Sequence, residues 1–239
     1  MVSPTAWAQA TVKDDGQWRA ALGLGVSATS GNTKATTINF NGDAVRATPV
    51  DKWGFTGNSL YAKSDGVITA DQTRAGTRYD YNITPQWFGF TSLDLERDKI
   101  AQLKLRSVIG GGLGYHLVKN DATVFDVFTG VGYTNDRYRV PLLINDAFRS
   151  DYAYVNLLVG EESTHKVSDN VSAKQKLVVY PNLENRGEYR AQFDSNLAVA
   201  MTKSMSLNVG LSARYNSDPG PGVKKTDTLF TTGVSVKFE

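Results

Sequence analysis

The 239-residue chain contains no cysteine. That absence removes thiol catalysis, thiolate-bound metals and disulfides, and it is compatible with an oxidising compartment such as the periplasm. Histidine is nearly absent too, present only as His116 and His165. A metal site built on two imidazoles would have to be completed by carboxylates, and no local spacing suggests one. No apolar run approaches the ~20 residues of a transmembrane helix, and no ten-residue helical stripe is visible. Charge of one sign is also missing: 26 Lys+Arg stand against 24 Asp+Glu, a net of +2, with no long block of either. That argues against a nucleic-acid surface. A membrane is not excluded, because a β-span needs only ~9–11 residues with every second one apolar.

What the chain does have is alternation. Leu207, Val209, Leu211, Ala213 and Tyr215 interleave with Ser206, Asn208, Gly210, Ser212 and Arg214. The pattern predicts twelve strands, near 17–29, 34–47, 52–63, 70–83, 86–97, 102–117, 123–135, 149–163, 171–181, 187–201, 204–217 and 226–238. The expected fold is all-β: a closed antiparallel transmembrane β-barrel of twelve strands, with short periplasmic turns and longer extracellular loops. An even count lets the first and last strands pair antiparallel, leaving hydrocarbon no open sheet edge.

The connectors fall into two sets. Thr48-Pro49-Val50-Asp51, Thr84-Pro85, Lys119-Asn120-Asp121, Ser168-Asp169-Asn170 and Thr202-Lys203 are tight and carry turn residues. The other set includes Ser30-Gly31-Asn32 and longer stretches: Ser64 to Thr69, Asp98 to Ala101, Asn135 to Arg149, Asn182 to Arg186 and Ser217 to Lys225. The longest, 135–149, has an apolar centre that is expected to constrict the mouth or pack against neighbouring loops. At the N-terminus, Ala8-Gln9-Ala10 has the small-x-small form of a signal-peptidase site. The expected layout is a residual signal-peptide tail over 1–10, a periplasmic tail over 11–16 and the barrel over 17–239.

Strand parity assigns faces. Outward positions are Trp18, Ala20, Leu22, Leu24 and Val26 on the first strand, and Leu103, Leu105, Ile109, Leu113, Tyr115 and Leu117 on the sixth. Tyr189, Phe193, Leu197 and Val199 follow on the tenth, and Phe230, Val234, Val236 and Phe238 on the twelfth. Aromatics near strand ends (Trp18, Trp53, Trp87, Tyr115, Tyr189, Tyr215, Phe238) suit headgroup-level belts. The opposite faces carry both signs of charge. The lumen-facing candidates are Arg78, Asp80, Asp94, Glu96, Lys104, Arg106, Asp126, Lys174, Lys176, Arg190, Asp194 and Arg214, with Arg19, Asp43, Glu188 and Lys237 on the same faces. Asp94 and Glu96, at i,i+2, fit a charge network with Arg78 and with Arg106 or Lys104 better than acid–base chemistry. Gly23, Gly25, Gly110, Gly112 and Gly114 also face in, where they relieve crowding. Twelve strands ~4.8 Å apart and tilted ~40° enclose a backbone radius of about 12 Å. Inward side chains then leave a narrow hole at most.

Catalytic signals are weak. Ser107, Ser168 or Ser172 would have to meet a histidine at about 3 Å beside an orienting acid, and no nucleophile elbow is present. Gly110-Gly111-Gly112 lacks the helix and lysine of a phosphate cradle.

Several segments resemble one family. Leu22-Gly23-Leu24-Gly25-Val26-Ser27-Ala28-Thr29-Ser30-Gly31-Asn32-Thr33 is similar to the opening hairpin of the salt-induced outer-membrane proteins, a family of unknown function. Tyr79-Asp80-Tyr81-Asn82-Ile83-Thr84-Pro85-Gln86-Trp87-Phe88 resembles its second signature, and Leu95-Glu96-Arg97-Asp98 and Gly110-Gly111-Gly112-Leu113-Gly114-Tyr115 match further. The resemblance spans Gln17 to Phe238. It implies secretion, a bacterial outer-membrane location and a β-barrel, and it transfers no catalytic residue or substrate. One departure is that Phe238 is followed by Glu239, whereas such barrels commonly finish on an aromatic residue. The expected function is a narrow channel for small hydrophilic solutes or ions; the alternative is a non-transporting structural or envelope-stress barrel with a closed lumen. No enzyme activity, cofactor or metal is expected. The expected partners are outer-membrane lipid, the barrel assembly machinery and small hydrophilic solutes or ions.

Overall fold

The computed structural model describes residues 10, 12–29, 34–144, 147–219 and 224–238. Of the expected signal-peptide tail only Ala10 falls among them, and 30–33 and 220–223 lie outside. The strands are β1 (Trp18–Thr29), β2 (Ala35–Ala47), β3 (Asp51–Ser64), β4 (Val67–Asn82), β5 (Trp87–Asp98), β6 (Leu103–Lys119), β7 (Thr123–Ile144), β8 (Ala147–Lys166), β9 (Val171–Pro181), β10 (Tyr189–Ala200), β11 (Met205–Asn216) and β12 (Thr226–Phe238). Each pairs antiparallel with its chain neighbour, and β1 closes on β12 through Ala20↔Phe238 to Leu24↔Val234. Closure gives every strand two hydrogen-bonded neighbours, the condition hydrocarbon imposes on a spanning sheet.

The outside of this closed sheet is apolar. Leu22, Leu24, Val26, Ile38, Phe40, Ile109, Leu113, Val131, Phe230 and Val234 are all exposed. Their alternate neighbours Ala21, Asn39, Asn41, Val108, Thr231 and Ser235 are buried. A greasy exterior around a polar interior is the inverse of a water-soluble core and fits a lipid solvent. Aromatic contacts ring the tight-turn end: Trp53 packs on Tyr79 with ring centres 4.7 Å apart, and Trp87 on Tyr115 at 5.0 Å. Tyr189 and Tyr215 stack 5.1 Å apart near the other end. Such girdles sit at the two interfaces. The molecule is a closed twelve-stranded β-barrel with the exterior of a membrane-spanning sheet.

The interior is unevenly filled. On the walls of β5, β7, β8 and β9, the side chains of Phe88, Phe90, Phe128, Leu158, Val178 and Tyr180 form one buried cluster. Small residues across from them make the room. A Cβ at Gly114 would collide with the Phe88 ring, and one at Gly160 would lie 2.5 Å from the Phe128 ring. Nearer the closing seam the interior is a ladder of buried amides and hydroxyls. Asn41 Nδ2 donates to Asn39 Oδ1 at 3.0 Å, and Asn208 Nδ2 to Ser235 Oγ at 2.8 Å.

Three sequence expectations change. The stretch 135–149 is not a loop: β7 and β8 run on as a hairpin to Ile144 and from Ala147, with 145–146 outside the described residues. Asn135-Asp136-Arg137 reads as a polar loop, but Asp136 faces in and Arg137 out. Pro141 sits in an irregularity where the register jumps from Arg137↔Asp151 to Leu142↔Arg149, a place where a missing N–H costs no ladder bond. Val140, Leu143 and Phe148 are exposed on this hairpin, Phe148 at 77%, whereas Ile144 is buried and with Tyr138 lines a recess of the interior. Ser64 to Thr69 is likewise no loop. Asp65 and Gly66, at φ +47° and +86°, make a two-residue turn, the conformation that Asp-Gly favours between paired strands. Finally, Lys104 is exposed and Leu103 buried, the reverse of the expected faces. Lys104 is the extra residue of a bulge, because Leu103 pairs Tyr138 while Leu105 pairs Arg137. A bulge inverts the alternation beyond it.

Gly114→Ala should force the Phe88 ring to move and cost about 1–3 kcal/mol. Gly57→Ala, where nothing among the described residues lies within 4 Å of the added carbon, should be neutral or slightly stabilising. Urea midpoints of both proteins folded into phosphatidylcholine vesicles would show the difference.

Candidate functional site: the charged interior cavity

Between the aromatic cluster and the amide ladder lies a cavity of about 230 Å³. Its lining includes Asp43, Arg74, Asp94, Glu96, Arg106, Lys174, Lys176, Arg190, Asp194 and Arg214. Strand pairing places these groups, because directly opposed residues hold their Cβ atoms about 4.5–5.5 Å apart. Arg74, Glu96 and Arg106 lie in register across β4, β5 and β6. Glu96 is bridged by Arg74 at 2.8 Å and by Arg106 at 3.5 Å. Arg106 then forks onto Asp136, with both contacts at 2.6 Å. On the facing wall Arg214 grips both oxygens of Asp194, at 2.7 and 2.8 Å. Lys174 and Lys176 share Glu162 at 3.4 and 3.9 Å.

Arg78, Asp80 and Asp126 lie nearer the tight-turn end. Arg78 Nε donates to Asp80 at 2.6 Å, and Lys52 reaches the same carboxylate at 2.9 Å. The Arg78 guanidinium carbon sits 4.5 Å from the ring centres of both Phe90 and Phe128, a cation–π arrangement. Asp126 takes His116 Nδ1 at 2.6 Å, and His116 Nε2 lies 3.4 Å from Asn82 Oδ1. His165 meets Thr123 at 3.2 Å. Among the described residues no group of three His, Asp or Glu side chains is placed to hold a metal.

Two groups stand apart from this pairing. Asp94 is exposed to the cavity, and no carboxylate bridge to it forms among the described ion pairs. The expected pairing of Arg78 with Asp94 or Glu96 does not occur. Arg78 is opposite Ser92, while Arg74 faces Glu96 and Gly76 faces Asp94. Arg190 is buried, and no carboxylate among the described residues bridges it. It donates to Thr134 Oγ1 at 3.2 Å, stands 5.2 Å from the Tyr180 ring centre, and leaves its Nε without a partner. Lys104, on its bulge, takes no part.

Above Arg190 a smaller recess is lined by Tyr138, Ile144, Tyr152, Tyr154, Asn182 and Glu188. Glu188 accepts from Asn182 Nδ2 at 2.7 Å, Asn185 Nδ2 at 2.6 Å and Tyr152 Oη at 3.0 Å. Outside the spanning strands, the Arg19 hydrogen bond holds the Asp15 carboxyl below its ordinary range, and Lys166 does the same to Asp169. Both pairs favour the folded chain above the usual carboxylate range and lose that contribution as pH falls through the lowered values.

Sequence reasoning overlooked Arg74, Asp136, Glu162 and Lys52. Arg74 shares the parity of Arg78 and was readable from it. Asp136 was hidden by the mistaken loop.

A family profile described as "Protein of unknown function, DUF481" matches residues 22–238. The uncharacterized protein YdiY of Escherichia coli (strain K12) is 22% identical over 201 residues, covering 83% of this chain and 74% of that protein. Among solved structures, the NanC porin is 9% identical with a TM-score of 0.47, covering 92% of this chain and 97% of that one. The translocator domain of the autotransporter NalP from Neisseria meningitidis is 11% identical with a TM-score of 0.47, covering 93% and 88%.

Arg106→Leu should strand the buried Asp136 carboxylate and cost about 3–5 kcal/mol. Arg137→Gln breaks an exposed pair with Asp151, 3.4 Å long, and should cost under ~1 kcal/mol. Equilibrium unfolding in vesicles at neutral pH would rank the two.

Proposed function

The chain belongs to the DUF481 family, and we propose that it is a narrow passive channel for small hydrophilic solutes or ions. The observation that carries this reading is the charged cavity of about 230 Å³ inside a closed barrel. A barrel interior kept for stability alone gains little from the cationic Arg190 and the unbridged Asp94 on its wall. Buried charge is costly unless water or a counter-ion reaches it. In this proposal Arg78, Asp80, Asp94, Glu96, Arg106, Asp126, Lys174, Lys176, Arg190, Asp194 and Arg214 form the polar wall of the path. The paired groups keep the wall rigid and nearly neutral. Asp94 and Arg190 offer passing ions of either sign a transient partner.

One observation favours the second reading, a non-transporting barrel. Phe88, Phe90, Phe128, Leu158 and Tyr180 pack into one buried apolar cluster inside the barrel. Planar-bilayer recording of the purified protein in 1 M KCl separates the two. A channel gives discrete openings in the unmodified protein, and Phe90→Ala raises their conductance about twofold or more by the geometric widening of the path. Asp94→Lys shifts the reversal potential toward anions in a salt gradient. A silent unmodified protein that opens only in Phe90→Ala establishes the plugged barrel. Silence in both ends the channel reading.

A further inference from the structure

The outward faces of β5, β6 and β7 carry a feature that the channel reading does not use. Trp87 on β5, Tyr115 on β6 and Val127 on β7 lie in register at the tight-turn end. Above them the outward positions are apolar or small: Leu93 and Leu95, then Leu113 and Ile109, then Val131 and Tyr133. Ten residues beyond Trp87 comes Arg97, and ten beyond Val127 comes Arg137. A tilted strand gains about 2.5 Å of height per residue, so these arginines stand about 25 Å above the lower girdle, the height of the hydrocarbon band. Lys104, turned outward by its bulge, sits between them, and Arg139 follows Arg137 on the extended hairpin. All four are exposed. No acid stands among the described outward residues of these three strands; on the flanking strands Asp151 of β8 reaches Arg137 at 3.4 Å and Asp71 of β4 reaches Lys99 at 3.8 Å.

We infer that Arg97, Lys104, Arg137 and Arg139 form a docking surface for the phosphate groups of an anionic glycolipid in the outer leaflet. The charge on these three strands is of one sign, with carboxylates only on the flanking strands, and it lies at the depth of the headgroups. It continues an apolar face that acyl chains already cover. The bulge at Lys104 has a purpose in this reading, because without it that lysine would point inward. Forked guanidiniums suit phosphate oxygens, and the exposed lysine adds a point charge. Each cation near such a headgroup adds to the attraction. The inference rests on the membrane location of the barrel and is independent of conductance.

The test uses the full chain in nanodiscs of phosphatidylcholine doped with lipid A, with dephosphorylated lipid A, or with phosphatidylglycerol. Native mass spectrometry then counts the lipid that stays bound. The expected result is retention of lipid A by the unmodified protein, roughly tenfold above either other dopant. The fourfold variant Arg97→Gln, Lys104→Gln, Arg137→Gln, Arg139→Gln should lose that retention, and Lys119→Gln with Lys203→Gln, at the opposite end, should keep it. Equal retention of the dephosphorylated lipid would overturn the inference without any variant. Equal retention of phosphatidylglycerol would also overturn it, by showing unspecific attraction to anionic lipid. So would a fourfold variant that folds, by its heat-dependent gel shift, and binds as before.

Discussion

The backbone of this protein is solved by closure. A spanning segment in hydrocarbon has no water to satisfy its amides, so each strand must find two neighbours. The β1–β12 seam supplies the last of them. From that single constraint the remaining arrangement follows. The exterior must be apolar, because lipid touches it. The polar half of each alternating strand is forced inward, and so the charges of twelve strands meet in a space about 12 Å in backbone radius.

That crowding is resolved in three ways at three places. Near the seam, small residues and amides pack closely and bond to one another. On β5 to β9, aromatic rings fill the lumen where glycines on facing strands leave room, as Phe88 does beside Gly114. Between these regions, carboxylates and guanidiniums pair across neighbouring strands, with Glu96 held between Arg74 and Arg106. The strongest of these contacts are forked and desolvated, as for Arg106 on Asp136, where breaking one partner leaves a charge without compensation. The same interior therefore combines a rigid ion-paired wall with a cavity.

The β7–β8 hairpin shows how the barrel can exceed its membrane need. A strand of 22 residues is about twice the length that crosses hydrocarbon. The excess carries Tyr138 and Ile144 to the outer recess and leaves Arg137 and Arg139 exposed beside it. Beside its tip Phe148 is exposed and Ile144 is buried.

Period-two alternation, read from composition and order alone, determined the fold class, the number of strands and most of their limits. It also placed the lipid-facing rows, because a side chain's face follows from its parity and needs no knowledge of its neighbours. Parity fails where a residue is inserted into the ladder, and only the folded sheet revealed that Lys104 faces out. The Asp65-Gly66 turn was legible in the residues and was passed over. Pairing partners were a different matter. Whether Glu96 meets Arg74 or Arg78 depends on a four-residue difference in register, and alternation leaves both on the same face. Which rings share the lumen depends on strands distant in the chain. Those choices are made by hydrogen-bond register and by the volume left inside a closed sheet, quantities that exist only once the chain has folded.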